Sequence, residues 1–499
     1  MKNCLVANYH LFWLLQLFLN NLLKNIEIPL WQMPMNNLDF IIQGSKFSIT
    51  PDLLDKYNRQ LPRYTSYPTA PIWTKNTESI NFPLLFKEKL RATKDQNISL
   101  YIHIPFCKTR CSFCGCSSIV SNNPETMGRY VNSIIKELDF LQNRIDTKKI
   151  KINSLHWGGG TPTHLTQTQI EKIQNHILKC FGFSKQPEIS IETNPDISIE
   201  MLGFLKDAGF NRISFGIQDL NETVLNACGR KFADIKKTRH LIDHARSLDY
   251  KSINIDLCYG LPNQTKTNFE LTIKNIINIS PDRISLFNFA YIPQTLKHQQ
   301  IINPDLLPCS EDKLSFFVNA INLLSEAGYD FIGMDHFAKK EDELCLAKSK
   351  AEISRGFQGY SAKPLTHLIG VGLTSISSFP NLYVQNEKDL ESYIKAVESG
   401  NPAIIKGFLL SRDDEIRRWI IQRIFCQQFI DKIEFEKIWC VNFNDYFKEI
   451  VFNELIKDNL IINSSQRFDV TLFGRLFLRN IASIFDKYLD QKSLFSKTI

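Results

Sequence analysis

Four cysteines, Cys107, Cys111, Cys114 and Cys116, fall within the ten-residue segment CKTRCSFCGC. The first three have a Cys-x-x-x-Cys-x-x-Cys spacing just after a predicted strand, so one loop can wrap three thiolates around a single inorganic cluster. A cubane cluster normally takes four cysteines, so three leave one iron open, where S-adenosylmethionine can bind through its amino and carboxylate groups. The sequence therefore predicts a four-iron four-sulfur cluster that cleaves S-adenosylmethionine to a radical.

The cysteine segment has two alternative interpretations. A zinc site usually adds a second cysteine pair or a histidine pair farther along the chain, and that second half is not evident. Ordinary core cysteines do not gather in one short polar loop. The chain has 12 cysteines, and these four lie too close together for a disulfide framework in so long a protein. We predict metal chemistry in a reducing compartment, the cytoplasm.

The fourth cysteine, Cys116, is not needed for the three-cysteine motif. Its position in a loop that must be reactive favours a redox or proton-handling role near a substrate. A small buried thiol without a role in chemistry is the alternative.

Other candidate ligands follow further predicted strands. Residues 158–160 are three glycines that end one strand, where backbone can approach a ligand closely and Thr161 can add a hydroxyl. A tight strand-to-helix turn explains the glycines as well. Glu192 and Asp256 are carboxylates at strand ends, suited to accept hydrogen bonds from ribose hydroxyls or an amino group. A solvated loop acid or a helix cap is the alternative for these two.

The elements that must position these groups alternate from about residue 99 between short β-rich runs and longer amphipathic helices. This pattern is typical of a parallel sheet of βα units, whose functional groups meet at the carboxyl ends of the strands. The predicted strands are SLYIHIPF, INSLHWGG, EISIETNP, RISFGIQ, INIDLCYGLP, RISLFNFAYIP and YDFIGMDHFA. The helix after the cysteine loop carries Val131, Ile134, Ile135, Leu138 and Leu141 on one face.

Two residue pairs mark the starts of helices. Thr166 with Gln169 predicts a capping box, and Ser411 with Asp414 opens a helix in a region where the β pattern has ended. We expect an α/β fold with a partial (β/α) barrel. The predicted domains are an N-terminal extension (1–45), an N-terminal arm (46–98), the barrel (99–400) and a smaller, mainly helical C-terminal domain (401–499).

The first 30 residues are apolar but are interrupted by asparagine, glutamine and histidine, which makes them a poor membrane span and a poor signal peptide. We expect residues 1–34 to be disordered or to precede the true start, at Met33 or Met35. The net charge of +7 is mild and dispersed, so neither nucleic acid nor stable membrane insertion is expected.

Taken together, the quoted motifs resemble one known family. YIHIPFCKTRCSFCGC is similar to the signature of radical S-adenosylmethionine enzymes, and the chain resembles in detail the oxygen-independent coproporphyrinogen III oxidases. The resemblance covers all but the N-terminal extension. It rests further on RYTSYPTA, HWGGGTPT, SIETNP, FGIQDLN, NIDLCYGLP, FNFAYIP and GMDHFA.

The resemblance implies a partial barrel of the radical S-adenosylmethionine type and a defined reaction in porphyrin and haem biosynthesis. Two propionates of coproporphyrinogen III are decarboxylated oxidatively to vinyl groups without oxygen, giving protoporphyrinogen IX. The implied cofactors are one four-iron four-sulfur cluster and two molecules of S-adenosylmethionine. An unidentified electron donor and acceptor and a monomeric state are also implied.

The resemblance also assigns residues by position. Cys116 and Tyr101 are the candidate catalytic residues, and Gln218 with Arg230 matches the site of the second S-adenosylmethionine. The positions that match cofactor contacts are Tyr101, Phe113, Gly159, Gly160, Thr161, Glu192, Gln218, Arg230, Asp256, Ala290 and Ile376. By residue type alone, the aromatic and apolar members of this set would be assigned to ordinary core packing.

The sequence departs from the family pattern in one place. From Gly229 to Phe232 it reads GRKF, where the family has Asn-Arg-x-Gln, so the arginine is kept and its neighbours are not. The main rival interpretation is a haem chaperone of the same superfamily, which delivers haem instead of decarboxylating a porphyrinogen. Such chaperones are expected to lack both Cys116 and the RYTSYPTA arm.

Overall fold

The computed structural model describes residues 37–76, 80–93, 97–147, 149–231, 234–365, 367–489 and 495–499. The strands are β1 (Leu38–Ile42), β2 (Ser45–Ile49), β3 (Thr74–Lys75), β4 (Ile98–Ile104), β5 (Phe106–Cys107), β6 (Ile119–Val120), β7 (Lys151–Gly159), β8 (Gly182–Thr193), β9 (Arg212–Gln218), β10 (Ser252–Tyr259), β11 (Arg283–Asn288), β12 (Tyr329–Gly333), β13 (His336–Lys339), β14 (Ser354–Gly356), β15 (Gly359–Ser361), β16 (Leu368–Val371), β17 (Ile376–Phe379), β18 (Leu382–Asn386), β19 (Ile404–Leu409), β20 (Phe429–Asp431), β21 (Ile461–Asn463) and β22 (Arg467–Val470).

The α-helices of the described residues are α1 (Pro51–Tyr57), α2 (Phe82–Ala92), α3 (Pro124–Gln142), α4 (Gln167–Cys180), α5 (Ile199–Asp207), α6 (Glu222–Ala227), α7 (Ile235–Ser247), α8 (Lys266–Ile279), α9 (Ser310–Glu326), α10 (Glu343–Ser349), α11 (Leu390–Glu398), α12 (Arg412–Cys426), α13 (Lys432–Trp439), α14 (Phe443–Tyr446), α15 (Asn453–Lys457) and α16 (Leu478–Ser483). Short 3₁₀ turns cover Ala70–Ile72, Pro162–His164, Lys297–Ile301, Pro304–Leu306 and Gly474–Phe477.

A 13-stranded sheet forms the centre of the molecule. Strands β4, β7, β8, β9, β10 and β11 are neighbours in that order and pair in parallel. Helices α3 to α8 make the crossovers between them. Within the described residues the sheet stays open, because β16 flanks β4 while β13 runs antiparallel to β11. This is the predicted α/β partial barrel.

The local predictions for the barrel are mostly confirmed. In α3, Val131, Ile134, Leu138 and Leu141 are buried, while Ile135 is partly buried. The capping boxes at Thr166 and Ser411 are both present. The apolar faces that the periodicity marked are therefore the faces that the helices bury against the sheet.

One predicted strand was wrong in detail. YDFIGMDHFA is not a single strand but a hairpin of β12 and β13. Between them Met334 takes a left-handed conformation with φ of 47°, so the chain reverses where an unbroken run was expected.

The first described residues form a hairpin that packs on the C-terminal region. Strands β1 and β2 form a hairpin, and Phe47 of this hairpin stacks on Phe473 at 5.2 Å between ring centroids. Residues 38–49 therefore form a hairpin, and the predicted boundary at residue 45 falls inside it. The expectation for residues 1–34 lies outside the described residues.

The C-terminal region contains helices α12 to α16 and a three-stranded sheet in the order β20-β22-β21. Strand β19, which the boundary at residue 401 assigns to the C-terminal domain, lies in the large sheet between β18 and β3. In the part of the chain that the structure describes, no helix is long and apolar enough to cross a membrane.

Candidate active site

The cysteine loop leaves the carboxyl end of β4 and is fixed to the barrel at several points. Its two ends pair as the short parallel strands β5 and β6. Within the loop, the Ser112 amide donates to the carbonyl of Cys228 at 3.0 Å. The thiols of Cys107, Cys111 and Cys114 are free and partly exposed. One short loop therefore offers three accessible thiols, as predicted.

The spacing of these sulfurs argues against a single zinc ion. Within the described residues, the one set of three ligand atoms that lie within 4.8 Å of one another belongs to Asp139, His176 and Cys180, not to the cysteine loop. Tetrahedral zinc with Zn–S bonds of about 2.3 Å would bring ligand sulfurs to about 3.8 Å from one another. The wider spacing in the loop fits a larger group such as a cubane cluster.

Residues 158–160 bring strand β7 against the base of this loop. Gly159 has φ of +118°, and a Cβ there would lie 2.7 Å from the His103 ring. A Cβ on Gly160 would lie 2.5 Å from the carbonyl oxygen of Pro105. Thr161 Oγ1 lies 3.4 Å from Cys107 Sγ. The glycines thus serve a close backbone approach, and their missing side chains leave room beside the first cysteine.

Arg230 connects the cysteine loop to strand β9. Its Nη1 donates to Cys111 Sγ at 3.3 Å, and its Nη2 donates to Asn194 Oδ1 at 3.1 Å and to the Gly216 carbonyl. The Gln218 amide also lies at Gly216, within 3.1 Å of the position of a Cβ there. The structure brings Gln218 and Arg230 together, and it sets the guanidinium against a predicted cluster ligand. Phe232 of the GRKF departure lies outside the described residues.

Glu192, at the end of β8, is held by two neighbours on β7. His156 Nε2 donates to its Oε1 at 3.1 Å, and the Gly159 amide donates to its Oε2 at 3.3 Å. The Ser190 hydroxyl lies 2.7 Å from His156 Nδ1, and because a carboxylate only accepts, His156 Nε2 carries the proton in its contact with Glu192. The Glu192 side chain is 39% exposed and keeps room for a further hydrogen bond.

Asp256, on β10, faces the same interior from the other side of β9, two strands from Glu192 in the same sheet. Ser214 Oγ donates to its Oδ2 at 3.1 Å, and Asn254 Nδ2 donates to its Oδ1 at 2.7 Å. Burial and the Glu192 carboxylate raise the pKa of Asp256 above its usual value. Two carboxylates thus face one interior, a setting suited to a ligand with hydroxyl or ammonium donors.

A cavity of about 140 Å³ lies inside the barrel beside these strands. The residues that line its carboxyl half are His156, Glu192, Ser214, Asp256, Phe287 and His336. Such a polar interior is a binding site in form, because a purely structural core would be filled by apolar side chains.

Tyr101 and His103 form a hydrogen-bonded pair on β4, directly before the loop. His103 Nε2 lies 3.0 Å from the carbonyl oxygen of Ser117, and Tyr101 Oη lies 3.0 Å from His103 Nδ1. Because a carbonyl only accepts, Nε2 carries the proton and the tyrosine hydroxyl donates to Nδ1. Burial lowers the pKa of His103 and raises that of Tyr101, so both groups are neutral at pH 7.

Cys116 is exposed, which rules out the interpretation of a small buried thiol. Its amide donates to Cys114 Sγ at 3.4 Å. A hydrogen bond from the Cys116 thiol lowers the pKa of Cys114 to about 6. Burial raises the pKa of Cys107, and Thr161 partly offsets that effect. The fourth cysteine therefore adjoins the predicted ligands without being one of them.

The predicted apolar contacts divide into two groups. Phe113 packs against a buried cluster that includes Phe289. Ala290, which follows Phe289 in the chain after β11, is half-buried. Ile376 lies on β17, and its backbone packs against Gly370, the residue paired with Tyr101. Phe113 and Ala290 therefore flank the loop, whereas Ile376 adjoins the other edge of β4.

Several residues of the site were missed by sequence reasoning. Gln299 Nε2 donates to the carbonyls of Ala290 at 2.9 Å and of Phe113 at 3.4 Å, and His298 Nε2 donates to the Cys114 carbonyl at 2.7 Å. These two residues lie in a 3₁₀ turn that carries no periodic signal. His156 and Asn194 were visible in quoted motifs, but nothing distinguished them from other polar strand residues.

Three comparisons with known proteins were informative. Residues 101–276 match the model of the Radical SAM superfamily. The chain is 40% identical over 458 residues to the oxygen-independent coproporphyrinogen III oxidase of Synechocystis sp., covering 90% of this chain and 97% of that protein. Its identity to the Escherichia coli enzyme of that name is 38%, covering 88% of this chain and 96% of that one.

A solved structure is similar over the whole of its length. It is the coproporphyrinogen III oxidase of Escherichia coli, described as a radical SAM enzyme. It covers 86% of this chain and 100% of its own, with a TM-score of 0.81 and 37% identity.

Proposed function

Because this chain belongs to the family of oxygen-independent coproporphyrinogen III oxidases, which are radical S-adenosylmethionine enzymes, we propose that it converts coproporphyrinogen III to protoporphyrinogen IX. The reaction is the oxidative decarboxylation of two propionate side chains to vinyl groups without oxygen, in haem biosynthesis. When bound, a reduced four-iron four-sulfur cluster and S-adenosylmethionine supply the 5′-deoxyadenosyl radical that takes a hydrogen atom from the propionate β-carbon.

The observation that carries this proposal is the three-thiol loop at the carboxyl end of a polar barrel. Cys107, Cys111 and Cys114 would hold the cluster, since their spacing leaves one iron free of protein sulfur. Arg230 donates to Cys111 Sγ at 3.3 Å, and such a charge-assisted hydrogen bond stabilises thiolate charge and tunes a cluster from outside its ligands.

Two groups of residues support the binding of two S-adenosylmethionine molecules. Residues 159–161 and Glu192 form one continuous surface beside Cys107, because the Gly159 amide donates to the Glu192 carboxylate. Gln218 and Arg230 form a second group over Gly216. Asp256 would accept hydrogen bonds from ribose hydroxyls inside the cavity, while Phe113, Ala290 and Ile376 would supply apolar contacts.

Tyr101 and Cys116 are the proposed catalytic residues. The Tyr101 hydroxyl is oriented by the neutral His103 ring, which fixes its position beside the cavity. Cys116 is the exposed thiol of the loop and would handle a proton or an electron next to the substrate. After hydrogen removal, each propionate loses carbon dioxide and one electron, so an external electron donor and an acceptor are part of the proposal.

The proposal extends to the oligomeric state, the location and the partners of the protein. The protein works as a monomer, in the cytoplasm, where a reducing environment keeps the cluster thiols available. Its partners are coproporphyrinogen III and an unidentified electron donor and acceptor rather than nucleic acid, since the net charge of +7 is dispersed. Stable membrane insertion is not part of its function.

The test is an anaerobic assay with reconstituted protein, reductant, S-adenosylmethionine, an electron acceptor and coproporphyrinogen III. Protoporphyrin fluorescence is followed after oxidation of the product. We expect product from the wild type and none from Cys111→Ala, whereas Cys309→Ala, which removes an exposed cysteine outside the loop, should remain active. Cleavage of S-adenosylmethionine without vinyl product, together with tight haem binding, would overturn the proposal in favour of haem delivery.

The number of bound S-adenosylmethionine molecules and the role of Cys116 can each be measured. Equilibrium dialysis should give two S-adenosylmethionine molecules per cluster, and Arg230→Met should leave one; a single molecule in the wild type would reject the second site. Cys116→Ser should keep the iron content and the visible spectrum but lose vinyl formation. Full activity of Cys116→Ser would exclude a catalytic role for that thiol.

A further inference from the structure

A second group of metal-ligand side chains lies on the outside of the barrel, where α3 and α4 end. Asp139 lies in the last turn of α3, and His176 and Cys180 lie four residues apart on α4, on the same face of that helix. Cys180 is the last residue of its helix, and β8 begins at Gly182. The group therefore lies at the amino ends of the strands, at the opposite end of the barrel from the cysteine loop.

The ligand atoms of these three side chains already converge. One atom from each of Asp139, His176 and Cys180 lies within 4.8 Å of the other two. His176 Nε2 lies 2.8 Å from Asp139 Oδ1, and the Cys180 thiol donates to Gln142 Oε1 at 3.1 Å. One carboxylate oxygen, one imidazole nitrogen and one sulfur are the donor set of a zinc-like ion, and a water or the Gln142 amide oxygen can be the fourth ligand.

The surrounding charge favours a cation as well. Both helices end here, and the carbonyl end of a helix carries partial negative charge. The Asp139 side chain is 49% exposed and that of His176 is 20% exposed, so an ion can enter from solvent, while Cys180 is buried. Burial and the Asp139 carboxylate raise the pKa of the Cys180 thiol, and the opposing cation nearby is Lys179.

We propose that Asp139, His176 and Cys180 form a second metal site that binds Zn²⁺ or a similar divalent ion and joins α3 to α4. Binding forms bonds from the metal to a carboxylate oxygen, to Nε2 and to Sγ. The proton of the Cys180 thiol leaves to solvent, and the proton of His176 Nε2 moves to Nδ1 through solvent, so no electron is transferred.

The site predicts a stabilising role that is separate from the chemistry of the barrel. Helices α3 and α4 are the first two crossovers of the sheet, and a metal bond between them would fix the strands that they connect. Since an ion that binds only the folded state shifts unfolding by mass action, zinc should raise the unfolding temperature while leaving turnover unchanged.

The experiment uses the holoenzyme, in which iron fills the cysteine loop. Protein dialysed against Zn²⁺ is analysed for bound zinc by mass spectrometry and for ligands by X-ray absorption at the zinc edge, to which iron does not contribute. We expect one zinc per chain, with one sulfur and otherwise nitrogen and oxygen ligands. Cys180→Ser and His176→Ala should each weaken zinc binding about 100-fold, on the scale of the loss of a metal-site interaction.

A matched control is Cys426→Ser. Cys426 is also a buried cysteine of a helix, and its Sγ lies 3.8 Å from a glutamine oxygen, that of Gln422, so its loss should leave zinc binding unchanged. If Cys180→Ser fails to fold, Asp139→Asn at the exposed end of the site should still abolish the rise in unfolding temperature caused by zinc. No retained zinc, equal zinc in wild type and Asp139→Asn, or a zinc spectrum with three sulfurs would each overturn the proposal.

Discussion

The two ends of the barrel are built from the same six strands but treat charge in opposite ways. At the amino end, Glu188 Oε1 lies 3.7 Å from Arg212 Nε and 3.6 Å from Arg283 Nη1. Asp342 Oδ1 accepts a hydrogen bond from Arg283 Nε at 2.8 Å. These four side chains are between 4% and 11% exposed. The charges at the amino end therefore neutralise one another.

At the carboxyl end, the acidic groups have no such partners. Among the described residues, no lysine or arginine nitrogen lies within 4.0 Å of the carboxylates of Glu192 or Asp256, which are held by neutral donors and by His156. The pKa values follow the same division. Burial and Glu192 raise the pKa of Asp256, whereas at Asp342 the Arg283 guanidinium outweighs burial and lowers the pKa.

This contrast separates stability from function within one barrel. Charges that meet their counter-charges inside the protein close the structure, and charges that lack them are kept for a ligand at a cost in stability. Substitutions at the two ends should therefore have opposite consequences.

The largest effect is expected at the amino end. Arg283→Leu removes the cation that Glu188 and Asp342 share. The buried Asp342 carboxylate loses its hydrogen-bonded partner and Glu188 keeps only Arg212, which should lower the free energy of unfolding by about 3–5 kcal/mol. Anaerobic denaturant unfolding of the holoenzyme measures this. The control is Arg129→Leu, which breaks an exposed pair with Glu391 and should cost less than about 1 kcal/mol. Equal losses in the two variants would remove the contrast between buried and exposed pairs.

Neutralising one aspartate at each end should give changes of opposite sign. At pH 7, Asp342→Asn should lower the free energy of unfolding by about 1.5–3 kcal/mol, the worth of hydrogen bonds to a charged group. Asp256→Asn should leave it unchanged or raise it, since the wild type must keep a disfavoured carboxylate there. Both variants should retain the cluster, and only Asp256→Asn should weaken S-adenosylmethionine binding.

The pH dependence follows from the two shifts. The folded pKa of Asp342 is lowered, so its contribution is present above the unfolded value of 3.8 and is lost as the pH falls through the folded pKa. The folded pKa of Asp256 is raised, so stability falls as the pH rises from 3.8 through the folded pKa. Unfolding curves between pH 4 and pH 7 should show Asp256→Asn converging on the wild type at the acidic end. Asp342→Asn should stay less stable than the wild type over this whole range, because the Asp342 contribution is lost only below pH 3.8.

The sequence predicted the carboxyl end of the barrel much better than the amino end. Glu192 lies at the end of β8, where local pattern predicted it. Asp256 was also expected at a strand end but lies within β10, so local pattern predicted its strand and not its place along the strand. The ion pairs of Arg212 and Arg283 join residues more than 20 positions apart, and Asp342 belongs to the turn after β13. Such pairings depend on how strands are ordered in the sheet, which periodicity does not encode.

The same reason explains what was missed around the cysteine loop. The three cysteines carry their spacing in the sequence, but Gln299 contacts Phe113 across 186 positions from a turn with no regular pattern. The hairpin at Met334 was missed because the apolar residues before the turn (Phe331, Ile332) and after it (Phe337) resemble one continuous β-rich run. Local pattern thus predicts which residues line the barrel, whereas the residues that fix the loops come only from the folded arrangement.

A smaller effect is expected for Glu192→Gln. The amide can still contact His156 and Gly159 but loses the charge that favours hydrogen bonds from a ligand, so the affinity for S-adenosylmethionine should fall about tenfold, or about 1.4 kcal/mol. Stability should change by less than about 0.5 kcal/mol, because the side chain is 39% exposed. Calorimetric titration under anaerobic conditions measures the affinity. An unchanged affinity with a large loss of stability would assign Glu192 to the structure rather than to the site.

The smallest effect should come from outside the barrel strands. His298→Phe removes the single hydrogen bond from Nε2 to the Cys114 carbonyl, which is worth about 1 kcal/mol. The loop should then open more often, and iron should be lost to a chelator about fivefold faster, as followed by the fading of the visible absorbance. The control is His240→Phe on the exposed face of α7, which should lose iron at the wild-type rate. If both variants behave like the wild type, the loop is held by its own cluster and by β5 and β6, and the carboxyl end needs no support from the 3₁₀ turn at Lys297–Ile301.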